Sequence, residues 1–137
     1  MGRKAKTKTI NSSLSTLKKK VWKEFSKYIR QKYADINGNV RCYTCGQIMP
    51  WQESQCGHGI SGRGNAILFD EELCRPQCKR CNIFLYGNLD VFHTKLIKEK
   101  GIKWFEEKLK LKHTIKQFTR QELETLLDRY KELNKKM

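Results

Sequence analysis

The chain is poor in three things: long apolar runs, acidic residues and histidine. No stretch approaches the ~18–20 consecutive apolar residues that a membrane-spanning helix needs, so a membrane role is not expected. The opening MGRKAKTKTINSS is basic but lacks an apolar core, which argues against a secretory signal and for the cytoplasm. Acids number 14 against 29 Lys plus Arg, leaving a formal charge of +15. That excess repels itself and exceeds what a neutral small-molecule enzyme needs. It implies a polyanionic partner, and without a membrane segment that partner is expected to be nucleic acid. Only three histidines are present: His58, His93 and His113.

The charge is concentrated early, with eleven Lys/Arg and two acids, Glu24 and Asp35, in residues 1–35. Residues 1–11 hold almost nothing to bury and read as a basic flexible tail. Over residues 12–36, Leu14, Leu17, Val21, Phe25, Tyr28 and Ile29 recur at the spacing of one helix face. Lys18, Lys19, Lys20, Lys23 and Lys27 lie off that stripe, as either a solvated surface or a phosphate-facing one. Asn37-Gly38-Asn39 predicts the end of this helix.

A cysteine-rich core follows over residues 40–88, with strand-prone pieces at 55–60 and 65–69 and a short helix after Lys79. Residues 89–137 read as helices packing on that core. Phe92, Leu96 and Ile97 mark one helix, stopped at Gly101; Trp104, Phe105, Leu109 and Leu111 mark the next. Thr119-Arg120-Gln121-Glu122 is a capping box that opens the last. The fold class expected is α+β, with flanking helices supplying burial that a small middle cannot provide alone.

Cys42-x-x-Cys45 and Cys78-x-x-Cys81 each let one tight turn aim two thiolates at a single ion, and two such turns complete a zinc tetrahedron. A redox pair would call for a βαβ context, which is absent. Zinc here closes the segment 46–77, so its binding energy is also folding energy. Four thiolates leave no open coordination position, so any chemistry must lie elsewhere. Cys56 and Cys74 read as small buried apolar residues, and exchange of Cys56 for a knuckle ligand would leave one pair half used.

Between the knuckles lies QCGHGISGRG, residues 55–64, a lone imidazole on a glycine-rich backbone. The order of knuckle, Gly-His, hairpin, knuckle and Asn resembles a ββα-metal (HNH, His-Me finger) nuclease, and is similar to the recombination endonuclease VII branch. Across nearly its whole length the chain resembles the phage NinG/Rap recombination nucleases. The matching pieces are Phe25-Ser26-Lys27-Tyr28-Ile29-Arg30, Cys42-x-x-Cys45-Gly46, Gly57-His58, Ser61 with Arg63-Gly64, and Phe69-Asp70-Glu71. Gln77-Cys78-x-x-Cys81-Asn82, Gly87-Asn88 and Phe118-Thr119-Arg120-Gln121-Glu122-Leu123 complete them. The resemblance implies a zinc-stabilised HNH core and a metal-dependent endonuclease acting on branched DNA, such as Holliday junctions and flaps. It also implies a bacterial host cell and phage recombination proteins as partners. Symmetric junction cutting would call for a homodimer.

Phosphodiester hydrolysis needs a nucleophile, a cation on the phosphate and a way to hold gathering negative charge. Neutral imidazole, with a reference pKa of about 6.5, can take a proton from water, so His58 is the expected general base. Asn82, directly after Cys81, is the expected ligand of a catalytic Mg²⁺ or Mn²⁺, and Arg63 a clamp on phosphate. Many HNH proteins carry Asp immediately before the histidine, where this chain has Gly57; Gln55 or Asp70 would have to substitute. Many also carry Asn five residues before the second knuckle, where this chain has Leu73. The same charge and cysteines also suit a non-catalytic zinc module that binds DNA, or a scaffold presenting its C-terminal helices to a protein.

Overall fold

A computed structural model describes residues 13–62 and 64–137, so the expected tail at 1–11 and the Arg63 phosphate clamp lie outside the described residues. Contacts group the described residues up to Phe25 with Phe118–Met137, and separately group Ser26–Gln117.

Helix α1 is Leu14–Lys32 and begins where the Ser13 hydroxyl accepts the Thr16 N–H at 3.1 Å. Leu17, Val21, Phe25 and Ile29 are buried, a strict four-residue stripe. Leu14 shares the period but is 46% exposed. In the first unit, the Phe25 ring meets Tyr130 edge-on at 5.2 Å, and the Asn134 amide donates to the Glu24 carbonyl at 2.9 Å. Tyr130 and Asn134 belong to the last helix, Arg120–Lys135, which starts with the expected capping box: the Glu122 N–H reaches the Thr119 hydroxyl at 3.1 Å.

In the second unit, Asp35 accepts the N–H groups of Asn37 and Asn39, both at 2.9 Å, and turns the chain into a first hairpin. Its strands are β1, Asn39–Arg41, and β2, Ile48–Pro50, paired antiparallel, and the first cysteine pair occupies their connecting loop. The second pair of strands is β3, Gln55–His58, and β4, Cys74–Gln77, in the register Gln55↔Gln77 through His58↔Cys74. The expectation of a strand at 65–69 is corrected: Asn65–Leu68 is a short helix, α2, and β3 pairs with β4 instead. Ile67 and its neighbour Leu68 are both buried, which the alternating faces of a half-buried strand would not allow.

After β4 comes a π-helical turn, Arg80–Phe84, then α3, Leu89–Lys100, and α4, Ile102–Lys112. Ile60, Ile67 and Leu73 from the segment between β3 and β4 pack with Phe92, Leu96 and Phe105 from α3 and α4. Each such side chain contributes roughly 1.5–3 kcal/mol on burial. A second cluster joins Val40, Cys42 and Met49 to Cys78 and Cys81, so the sulfurs are themselves part of a core. Arg75 of β4 is buried, with its guanidinium donating to the carbonyl of Glu72 at 2.7 Å and paired with Glu99 at 3.4 Å.

Two glycines frame His58 because nothing larger fits. A Cβ on Gly59 would lie 2.6 Å from Leu96 and 3.0 Å from Phe92. One on Gly57 would lie 2.0 Å from Oε1 of Gln77. Gln77 cannot swing aside at low cost: it is fully buried, and its amide nitrogen donates to the Thr44 hydroxyl at 3.0 Å and the Gly87 carbonyl at 2.9 Å. Gly57→Ala should therefore destabilise the protein by ~1–3 kcal/mol in denaturant unfolding. Adding Gln77→Ala to it should cost less than the sum of the two single changes; strict additivity would show that the side chains do not compete for this space.

Candidate metal centre and adjoining pocket

The hairpin loop between β1 and β2 carries Cys42 and Cys45, while Cys78 and Cys81 span the exit of β4 and the start of the π turn. All four ligand sulfurs lie within 4.8 Å of one another. Zn–S bonds of about 2.3 Å set the edge of a sulfur tetrahedron at about 3.8 Å. Sγ of Cys45 and Cys78 are 3.7 Å apart, so the cluster has the dimensions of a zinc site and could bind the ion. Its surroundings suit thiolates. The Cys81 N–H points at Sγ of Cys78 (3.4 Å), the Asn88 amide at Sγ of Cys81 (3.7 Å), and the Thr44 hydroxyl lies 3.5 Å from Sγ of Cys42. Thr44 accepts from Gln77, and toward a Cys42 thiolate, which can only accept, its hydroxyl is the donor.

Burial raises the Cys42 thiol, but backbone groups of Cys78, Cys45 and Thr44 and the Thr44 hydroxyl outweigh it and hold it at about 6. The Gln47 backbone pulls Cys45 down, yet burial and hydrogen bonds with the neighbouring thiols push it up to about 12. Four crowded sulfurs cannot all ionise without a cation between them, which is what zinc supplies. Cys56 and Cys74 lie outside this cluster, and both are buried, as expected of small apolar residues. Burial, then the adjacent Cys56 thiol, keeps Cys74 protonated well above the ordinary thiol range.

Next to the second knuckle lies an open pocket of about 390 Å³ whose lining includes His58, Ser61, Asn82 and Tyr86. Strand β3 delivers His58, and the π turn delivers Asn82, whose N–H bonds the Cys78 carbonyl at 2.9 Å. His58 is buried, and its tautomer follows from its partners. Nε2 faces the Ile67 carbonyl at 2.8 Å and so carries the proton; Nδ1 accepts the Ile60 N–H at 3.2 Å and so carries the lone pair. The Asn82 amide nitrogen donates to Oε1 of Gln55 at 2.7 Å, which makes the Asn82 carbonyl oxygen the donor atom for a cation.

Of the two residues considered in place of the aspartate that many HNH proteins carry, Gln55 is the one bonded to Asn82. Asp70 is engaged elsewhere: it caps Glu72 N–H at 3.0 Å and pairs with Lys108 at 2.7 Å. The pocket lining contains no carboxylate among the described residues. A side chain at Gly57 would collide with Gln77 as it lies here. His93 packs on Phe105, with ring centroids 4.8 Å apart, away from this pocket. Lys19, Lys20, Lys23 and Lys27 are exposed along α1, and Lys18 is half-buried. Thr44, Gln77 and Asn88, which serve the sulfurs, were given no role from the sequence, although Gln77 and Asn88 stand in the pieces that carry the family resemblance. Thr44 had only its position inside a cysteine pair as a signal.

The fold and the site define an α+β protein with a four-cysteine cluster suited to zinc. The family model described as Bacteriophage Lambda NinG protein matches residues 2–137, and the chain belongs to that family. No curated protein and no solved structure matches it. No helix among the described residues is long and apolar enough to cross a membrane.

Metal analysis should find one zinc per chain, and Cys45→Ala or Cys81→Ala should lose it together with cooperative unfolding. The stability that Cys42 contributes is complete above its ordinary value of 9.0 and is lost as pH falls through about 6. Protons compete with zinc for the thiolates, so zinc release, followed with a chromogenic chelator, should rise on acidification.

Proposed function

We propose that this chain is a DNA endonuclease of the HNH type, acting on branched recombination intermediates, with zinc as scaffold. The observation that carries the reading is that His58 and Asn82 line one pocket beside the cysteine cluster. The +15 charge supports a DNA substrate, and membership of the NinG family supports a phage recombination setting in the host cytoplasm.

In this mechanism Nδ1 of His58 gives up its weak bond from Ile60 and accepts a proton from water. The water oxygen forms a bond to phosphorus as the bond to the leaving sugar oxygen breaks, and that oxygen takes a proton from solvent. The hydrogen bond from Nε2 to the Ile67 carbonyl holds the ring and stabilises the positive charge it gains. A divalent cation would be held by the Asn82 carbonyl oxygen and would neutralise charge on the phosphate. The donors here are neutral, so the phosphate would have to supply the negative charge that such an ion needs, as suits one that keeps several waters. The exposed lysines of α1 are expected phosphate contacts, with Arg63 as a further one.

A second reading, a non-catalytic zinc protein that binds DNA in recombination, is favoured by the pocket's lack of a carboxylate. Incubation with a four-way junction, a flap and linear duplex, with Mg²⁺ or Mn²⁺ and without, separates the two. Wild type should nick branched DNA only with the added cation. His58→Ala should cut at least ~100-fold more slowly while keeping its zinc and its DNA affinity. Metal-independent binding with no scission by any variant would decide for the accessory role.

A further inference from the structure

The four residues after Asn82 break the usual rule for a surface turn. Ile83, Phe84, Leu85 and Tyr86 are consecutive, apolar or aromatic, and all exposed, Phe84 by 66% and Tyr86 by 86%. Isolated exposed apolar side chains are ordinary, but an unbroken run beside a pocket marks an interaction surface. The backbone presenting them is strained: Tyr86, Gly87 and Asn88 all have positive φ, at 51°, 93° and 47°. Glycine and, to a lesser degree, asparagine adopt this conformation readily, so the cost falls mainly on Tyr86.

Surrounding bonds hold the strained turn in place. The Leu85 N–H reaches the Arg80 carbonyl at 2.8 Å and the Gly87 N–H the Cys81 carbonyl at 2.9 Å. Gln77 bonds the Gly87 carbonyl, and Asn88 bonds Sγ of Cys81. The cysteine cluster thus stiffens a turn that pushes apolar side chains into water. Strain maintained in this way is found where a surface has a task.

We propose that Phe84 and Tyr86, with Ile83 and Leu85 beside them, form a rigid wedge that stacks on the exposed base faces at a DNA branch point. Three observations select that occupant. Tyr86 lines the pocket that holds His58 and Asn82. The same turn begins with two exposed cations, Lys79 and Arg80, which suit flanking phosphates and would not suit an apolar protein partner. Aromatic and branched apolar side chains are the groups that stack on or insert between bases. A branch point offers unstacked faces without the cost of opening a duplex, so the wedge selects DNA shape and not sequence. This inference rests on the DNA reading above but not on catalysis.

The test uses the full-length protein and a four-way junction carrying 2-aminopurine at its centre, compared with linear duplex at the same salt. Wild type and His58→Ala should both change the 2-aminopurine fluorescence. Phe84→Ala and Tyr86→Ala should each lower junction affinity by ~10-fold or more, the size of one lost base stack. Duplex affinity should stay within about twofold, while Tyr86→Phe retains junction binding. Zinc content and circular dichroism identify folded variants. Equal losses on junction and duplex, or no loss on either, would overturn the wedge. So would a loss that tracks conversion of a dimer to a monomer in sedimentation, which would assign the strip to a second copy of the chain. If His58→Ala cuts at the wild-type rate, the catalytic reading fails and the wedge stands.

Discussion

Four sulfurs converging from two distant turns hold this molecule's small middle together. The first turn closes a three-residue-strand hairpin, and the second ends a strand of four residues, neither able to persist alone. An ion held by the sulfurs would fix their separation, and polar side chains would carry that constraint outward. From Cys42 it runs through the Thr44 hydroxyl to the amide of Gln77, which lies across Gly57 and reaches the carbonyl of Gly87. One buried amide therefore connects the cluster, the strand that carries His58 and the far rim of the pocket. Its Oε1 finds no hydrogen-bond partner, the cost of lying against a glycine Cα.

The same arrangement explains why the pocket is electrically plain. A carboxylate before the histidine would need a Cβ where Gln77 sits, and Asp70 is held by Lys108. What remains among the described residues is an imidazole with its tautomer set by two backbone groups, an amide held by Gln55, the hydroxyls of Ser61 and Tyr86, and the Cys56 thiol. Such a site has little attraction for a free cation, and under the proposed reading the DNA phosphate would bring the negative charge. The strong positive charge of the chain as a whole fits that proposal.

Much of this was legible in particular residues. The two C-x-x-C pairs announced their cluster because thiolate spacing is a local property, and the Thr119–Glu122 box announced a helix start for the same reason. Leu17, Val21, Phe25 and Ile29 marked a buried face by period alone. Residues 65–69 misled, since a short apolar run is compatible with strand or helix until its neighbours are known. The true partner of β3, Cys-Arg-Pro-Gln at 74–77, has no strand-like alternation: all four residues are buried, with Arg75 capped by carbonyls and Gln77 bonded inside. Pairing across residues 59–73 is a long-range choice that no local pattern states.

The amino-acid sequence by itself determined the ligand set, the charge, the helices and their caps, because each depends on spacing within a few residues. Only the tertiary structure decided which atom of His58 bears the proton, that Gln55 holds Asn82, and that Gln77 forbids a side chain at Gly57. It also decided that four apolar residues after Asn82 stand in water. These follow from which strand lies beside which, and that is set by the burial of Ile60, Ile67 and Leu73 under α3 and α4 and by closure around the sulfurs. Contacts between residues far apart in the chain settle such questions, and no short window contains them.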